Sequence, residues 1–195
     1  WSNDGQWILV GCRRGKHSPD EDSLVGEGGR VPAHICMQPV AAAPRAEEQA
    51  RIIAFHQDYD LWQHRFSPDD SWILFNAVER RGAKSSRLFV IPAEGGEWIP
   101  ITDGKYWADK GVWAPEGTMI YYVSNRGGFL NVWGIGFDPA EGKALGEPFQ
   151  VTYLDSPSLR VDPDMVRIEL GVSNDLLALQ LMEVTGNIWV LEETP

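Results

Sequence analysis

All four histidines and both cysteines of the chain lie between Cys12 and His64. His34 and Cys36 are two residues apart, so a strand would project both side chains from one face. Cys12 and His17 belong to the preceding strand and loop, so a Cys2His2 zinc set is conceivable, although its spacing matches no familiar finger or ribbon. A cross-strand disulfide and two free, mostly buried thiols are the alternatives. Of the three, we expect free thiols.

Catalytic motifs are absent from the sequence. The string nearest to the serine-hydrolase pattern Gly-x-Ser-x-Gly, at residues 171–175, lacks the second glycine, and there is no phosphate-binding loop or dinucleotide fingerprint. Acidic loops at residues 20–22, 138–141 and 162–164 could offer oxygens to calcium, but none has an EF-hand pattern, which favours solvated carboxylates. We therefore expect no catalytic residue, no metal and no cofactor.

Composition narrows the class of protein further. The 195 residues are 43% hydrophobic and 11% aromatic, which is too apolar for a disordered chain. Lysine and arginine number 17 against 28 aspartate and glutamate, a net charge of −11. This excess of acid argues against a nucleic-acid partner, because phosphate neutralisation needs clustered basic residues. No apolar run approaches the roughly 20 residues that span a bilayer.

The elements that would position any site are indicated by an internal repeat. Four segments share one motif, and they begin at Trp1, Phe66, Trp113 and Val172. The motif is an aromatic or apolar residue, a small residue, Pro or Asn, an acidic residue and Gly or a substitute for it, followed by an apolar strand. Pro presets φ for a turn, Asp or Asn bonds its own backbone, and Gly accepts the left-handed conformation. Each segment therefore predicts a tight hairpin. Asp70 replaces Gly, which predicts mild strain, and the last repeat has lost both Pro and Gly.

The spacing of the hairpins, about 47 to 65 residues, fits four-stranded units of roughly 40–45 residues that carry loop insertions. Third strands are predicted at residues 33–38, 87–92, 131–135 and 187–191, and fourth strands at 98–102 and 148–152. Residues 41–50 are predicted to be a polar connector into an outer strand at 51–55, with a short helix as the alternative. The repeats are approximately 1–57, 58–104, 105–154 and 155–195. A β-sandwich is the competing fold.

The repeat resembles a known family. FSPDD at residues 66–70 and WAPEG at 113–117 resemble the WSPDG hallmark of TolB-like, WD-like (PD40-type) β-propellers, as do VSNRGG at 123–128 and AEGGE at 93–97. The resemblance implies an all-β propeller of four-stranded antiparallel blades. It implies little about activity, because such propellers serve unrelated roles. A location in the bacterial periplasm or cell envelope is what the family would imply.

About three and a half blades are present, fewer than the 4–8 of a closed propeller. An arc leaves an apolar face on each terminal blade, and such faces rarely stay bare. We expect either further blades upstream in a larger protein or a homodimer that closes through the open edges. The tryptophans are predicted to pack between blades, with a ligand cage as the alternative.

Inner strands of a propeller line its central channel. Three positions before the motif aromatics, and at the matching place in the last repeat, stand Gln63, Lys110 and Glu169. His64 is a further channel candidate, and the rim loops carry Arg80, Arg81 and Arg126. These seven residues are the candidate binding site for a small polar ligand or a partner protein, with ordinary surface charge as the alternative.

The sequence thus predicts a non-catalytic binding module, the C-terminal part of a larger bacterial sensory or regulatory protein. A second hypothesis is the propeller of a prolyl-oligopeptidase-like peptidase that gates substrate access. A third, a propeller lyase or hydrolase using His64 or carboxylates, lacks the histidine-rich channel that it would need.

Overall fold

The computed structural model describes residues 1–12, 32–40, 51–80 and 85–186, and these ranges contain strands and turns but no helix. The first sheet has the order β1 (Trp7–Cys12), β2 (His34–Pro39), β3 (Arg51–Ala54). The second sheet is β4 (Tyr59–Phe66), β5 (Trp72–Glu79), β6 (Ser86–Pro92), β7 (Ile99–Pro100), and the third is β8 (Ala108–Trp113), β9 (Met119–Ser124), β10 (Asn131–Asp138), β11 (Lys143–Gln150). No described segment forms a helix of the length and apolarity needed to cross a membrane.

The last repeat differs from the second and third sheets. Two small antiparallel sheets replace a four-stranded one: β12 (Leu159–Val161) pairs with β15 (Leu181–Glu183), and β13 (Leu170–Val172) pairs with β14 (Leu177–Leu179). The strand predicted at residues 187–191 lies outside the described residues, as does the connector predicted at 41–50. The all-β partial propeller of antiparallel blades is confirmed, and consecutive strands pair as neighbours in each of the first three sheets.

The predicted hairpin turns form with the same backbone hydrogen bonds in the first three repeats. The closing bonds run from Ser2 N to Trp7 O, Ser67 N to Trp72 O and Ala114 N to Met119 O, at 2.9, 2.7 and 2.9 Å. The fifth residue of each motif is left-handed, with φ of 70° at Gly5, 61° at Asp70 and 74° at Gly117. The fourth turn is shorter, because Ser173 N donates to Leu176 O at 2.8 Å.

The strain predicted at Asp70 has a counterpart in its hydrogen bonds. The Asp70 carboxylate accepts from Asn3 N at 2.8 Å, from Asn3 Nδ2 at 2.9 Å and from Asp4 N at 3.1 Å. A glycine would relax the backbone but could not make these bonds. The side chain therefore links the first turn to the second, which offsets a left-handed conformation that costs about 1–2 kcal/mol in an L-residue.

Three apolar clusters lie between successive sheets. Ile35, Met37 and Phe75 belong to the cluster between the first and second sheets. A second cluster joins the second and third sheets, and the third joins the third sheet to the last repeat. Strand β5 is buried along most of its length, because a sheet between two neighbours has no solvent face. This explains why its sequence is almost continuously apolar rather than alternating.

Among the described tryptophans, Trp113 and Trp72 follow the packing prediction, and Trp189 lies outside the described residues. Trp113 is 8% exposed and meets Phe137 edge-on at 4.8 Å between ring centroids. The Trp72 indole donates from Nε1 to Pro139 O at 2.9 Å, which joins the second sheet to the third. The prediction is wrong for Trp1, which is 73% exposed, because this residue precedes β1 and no described strand carries it into a sheet.

Cys12 and Cys36 form a disulfide with their Cα atoms 5.9 Å apart, so the expectation of free thiols is wrong. Strands β1 and β2 pair with Val10 opposite Cys36 and Cys12 opposite His34. The two cysteines are therefore diagonal neighbours on one face, within the distance that a disulfide spans. The disulfide also excludes the Cys2His2 zinc site, which needs both thiols free. His17, the other candidate ligand from this region, lies outside the described residues.

We predict that replacing both Cys12 and Cys36 by serine lowers the free energy of unfolding by about 3 kcal/mol. The bridge joins two residues that are 24 positions apart in the sequence. A cross-link over that distance lowers the conformational entropy of the unfolded chain by an amount that corresponds to about 3 kcal/mol. Urea unfolding of the oxidised protein, the reduced protein and the double variant measures it. Equal midpoints for all three would contradict the prediction.

We predict that Gly142→Ala destabilises the protein by roughly 1–3 kcal/mol more than Gly146→Ala. Both glycines are left-handed, with φ of 68° and 72°, so both substitutions carry the same backbone penalty. A Cβ at Gly142 would overlap the Trp72 ring, whereas one at Gly146 meets nothing within 4 Å. The difference in urea midpoints isolates the contact between the second and third sheets, and equal midpoints would show that the ring moves aside freely.

Candidate binding site at the inner strands

A pocket of about 510 Å³ opens where the inner strands of the repeats meet. We call it the inner-strand pocket. It is lined by residues 63–66 of β4, by 112–113 of β8, by 169–172 around β13 and by Trp1. Its size lies within the range of ordinary small-ligand sites, about 300–1,000 Å³.

Both complete inner strands, β4 and β8, carry a β-bulge beside this pocket. The pairing of β4 with β5 shifts between Trp62 and Arg65, and that of β8 with β9 shifts between Asp109 and Val112. Inside the bulges, Gln63 has φ of 53° and Lys110 has φ of 56°. Among the described non-glycine residues only Asp70 shares this left-handed conformation. Strain of this kind is concentrated at functional sites.

The structure brings together the three candidates that occupy equivalent positions in the repeats. The Lys110 backbone N donates to Gln63 Oε1 at 2.9 Å, and Lys110 Nζ lies 3.6 Å from Glu169 Oε1. The Lys110 side chain is 4% exposed, whereas that of Glu169 is 68% exposed. A fixed, buried cation is thus paired with a carboxylate at the surface of the pocket.

Arg65 also belongs to this group, although it is not among the candidates predicted from the sequence. Its Nη2 atom lies 3.3 Å from Glu169 Oε2, and its side chain is 45% exposed. The available signal was strand alternation: Arg65 follows Gln63 by two residues on β4. The bulge at Gln63 and His64 breaks that alternation, so the side-chain direction of Arg65 could not be predicted from its spacing.

His64 lines the pocket and is neutral at neutral pH. Burial of the ring lowers its pKa, although a hydrogen bond to the backbone of Leu9 favours the charged form and opposes the shift. Its Nδ1 atom is buried without a hydrogen-bond partner. A neutral imidazole with one unused nitrogen can donate to or accept from a polar ligand, depending on the tautomer.

A buried carboxylate supports the second bulge. Asp109 accepts from Lys110 N at 2.7 Å, from Asn76 Nδ2 at 3.1 Å and from Trp107 Nε1 at 3.2 Å. Burial raises its pKa, while these hydrogen bonds act in the opposite direction. Asp109 holds the backbone of Lys110 and is a positioning residue that the sequence analysis did not select.

Arg80 and Arg126 are not part of the pocket lining. Arg80 Nη1 donates to Gln57 O at 3.2 Å, and Arg80 Nε lies 4.0 Å from Asp60. The Arg126 guanidinium lies over the rings of Tyr106 and Trp133, 5.4 and 5.8 Å from their centroids. Arg81 lies outside the described residues. A binding role for these three arginines stays a prediction.

We predict that Lys110→Gly is more stable than Lys110→Ala by about 1 kcal/mol, because alanine keeps a Cβ in the left-handed conformation. Both variants lose the contact with Glu169, so the comparison isolates the backbone. Lys105 is the matched control: its φ is not positive, so Lys105→Ala should be the more stable of that pair. Urea unfolding of the four variants measures both differences. The same order at both positions would contradict a strained Lys110.

Comparison with known proteins gives matches among solved structures only. A scan against protein-family models gives no match, and a search of curated protein sequences gives none either. The chain is similar to a putative TolB from Agrobacterium tumefaciens, with 18% identity and a TM-score of 0.57 over 93% of this chain and 59% of that one. TolB from Acinetobacter baumannii matches with 16% identity and a TM-score of 0.51 over 94% of this chain and 39% of that one.

A puromycin hydrolase is also similar, with 17% identity and a TM-score of 0.50, over 80% of this chain and 22% of that one. The chain therefore spans less than two thirds of each of these three proteins. Identities this low establish the fold. The chain has the β-propeller fold that these structures share, as its turn motifs predicted.

Proposed function

We propose that this chain is a non-catalytic binding module whose inner-strand pocket holds a small polar ligand or a segment of a partner protein. The observation that carries the proposal is that Gln63 and Glu169 line one pocket and that Lys110, buried beside it, contacts both of them. Two of them are held in strained bulges, and the structure maintains that strain through specific hydrogen bonds to Lys110. Backbone strain that the surrounding structure maintains is concentrated at active sites and ligand-binding sites.

The role of a binding module agrees with the rest of the sequence. No Gly-x-Ser-x-Gly nucleophile motif is present, and the fold is shared with TolB. We further propose that the repeats at 1–57, 58–104, 105–154 and 155–195 are the structural units. The protein would be completed by upstream blades or by a second copy at its open edges, in a bacterial sensory or regulatory role.

The disulfide supports a location in an oxidising compartment. Cross-links between cysteines persist in oxidising compartments and are rare in the reducing cytosol. The bond between Cys12 and Cys36 therefore favours the periplasm or the cell envelope. Labelling of free thiols in intact cells, before and after reduction, reports whether the bond exists there.

A second candidate is the propeller of a peptidase, where the channel would gate access to a hydrolase domain. The similarity to puromycin hydrolase favours it. Sequencing the native polypeptide beyond these 195 residues separates the two. An attached domain with a Gly-x-Ser-x-Gly motif would support gating, and an attached regulatory domain or membrane anchor would support the binding module.

We predict that small polar ligands shift the signals of the inner-strand pocket. A ¹H–¹⁵N titration with trialanine, N-acetyl-alanyl-alanine amide and glucose should shift the indole signals of Trp1 and Trp113, which line the pocket. Gly171→Phe should abolish the shifts by filling it, since a Cβ at Gly171 has room. Gly11→Phe is the control: Gly11 also has open space and lies in β1, outside the pocket. No shift with any probe at millimolar concentration would refute the site.

A further inference from the structure

We propose that the inner-strand pocket recognises a carboxylate, which replaces the carboxylate of Glu169 between Arg65 and Lys110. The proposal rests on the proposed function and names the chemistry of its ligand. In the structure, the carboxylate of Glu169 lies between these two cations, so a ligand carboxylate must compete with it.

The geometry is that of a carboxylate shared by two cations. Glu169 Oε2 lies 3.3 Å from Arg65 Nη2, and Glu169 Oε1 lies 3.6 Å from Lys110 Nζ. Each oxygen faces a different cation, and the cations come from two different sheets, on β4 and β8. Two cations that converge on both oxygens of one group match the shape and charge of a carboxylate.

The two sides of this arrangement differ in how firmly they are held. The Lys110 side chain is 4% exposed, and its backbone N donates to both Gln63 Oε1 and Asp109 Oδ1. Glu169 is 68% exposed. A buried ammonium needs a partner, because its desolvation is costly, whereas an exposed carboxylate is readily hydrated when it leaves an ion pair. Glu169 can therefore leave at small cost, provided that another carboxylate takes its place.

The pocket has room for the rest of such a ligand. Arg65 and Glu169 lie on the wall of a space of about 510 Å³, which Trp1, Trp113 and Val172 line with apolar surface. The net charge of the whole chain is −11, so its long-range field repels highly charged anions. A single carboxylate on a partly apolar molecule fits both the local cations and the global charge.

Two sources supply this chemistry: a free organic acid and the terminal carboxylate of a peptide. Calorimetric titration with hippurate represents the first, and N-acetyl-Ala-Ala-Phe represents the second. Each acid is paired with its primary amide, which keeps the shape and removes the charge. We expect each acid that binds to do so at least tenfold more tightly than its amide. Binding of hippurate supports the free acid as the source, and binding of the peptide acid alone supports the peptide terminus.

Variants test the competition with Glu169. Glu169→Gln should strengthen binding of the acids several-fold, because the internal carboxylate is gone, and Arg65→Gln should reduce it to the level of the amides. The matched controls are Glu94→Gln and Arg51→Gln. The Arg51–Glu94 ion pair has the same 3.3 Å separation and similar exposure on another part of the surface, and its loss should leave binding unchanged. If Glu169→Gln does not fold, Glu169→Asp weakens the same contacts while keeping the charge.

The outcomes separate this proposal from the broader one. Amides that bind in the pocket as tightly as the acids would overturn carboxylate recognition and leave the binding module standing. Weaker or unchanged acid binding in folded Glu169→Gln and Glu169→Asp would overturn the competition. If neither these acids nor the neutral probes bind the pocket, both proposals fail.

Discussion

The burial of both faces of each central sheet is the constraint from which the rest of the structure follows. A four-stranded sheet that is apolar on both sides is stable only between two neighbours, so the sheets must stack in series. The second sheet meets this demand with one apolar cluster on each side. Stacking brings strands β4 and β8 to the inside, where their ends border the inner-strand pocket rather than another sheet. Polar side chains can therefore gather at the inner strands without disturbing the clusters that hold the sheets together.

The local parts of the fold were predictable because their causes are local. A turn with Pro, Asp and Gly specifies its own dihedral angles, and three of the four turns formed as the sequence indicates. The equivalence of Gln63, Lys110 and Glu169 was also predictable, since repeats place matching positions at matching points in space. Strand ends were less secure: β11 starts at Lys143 rather than at residue 148, and β7 is only Ile99–Pro100.

What the sequence could not reveal depends on contacts between distant residues. Pairing of Cys12 with Cys36 follows from the register of β1 and β2, which two cysteines alone do not determine. The position of Arg65 depends on a bulge that shifts the register of β4. The buried role of Asp109 depends on Asn76, a partner 33 residues away on β5. In each case a shift by one residue would turn the side chain to the opposite face.

One bond in the inner strands constrains how this protein can change. The Gln63 side chain accepts from the backbone of Lys110, so an amide in one repeat supports the main-chain path of the next. A copy of the second repeat inserted in place of the third would bring a glutamine where the lysine stands, so Glu169 in the last repeat would lose one of its two cations. The second and third repeats are therefore not interchangeable, because each carries the inner-strand residue that its neighbour contacts.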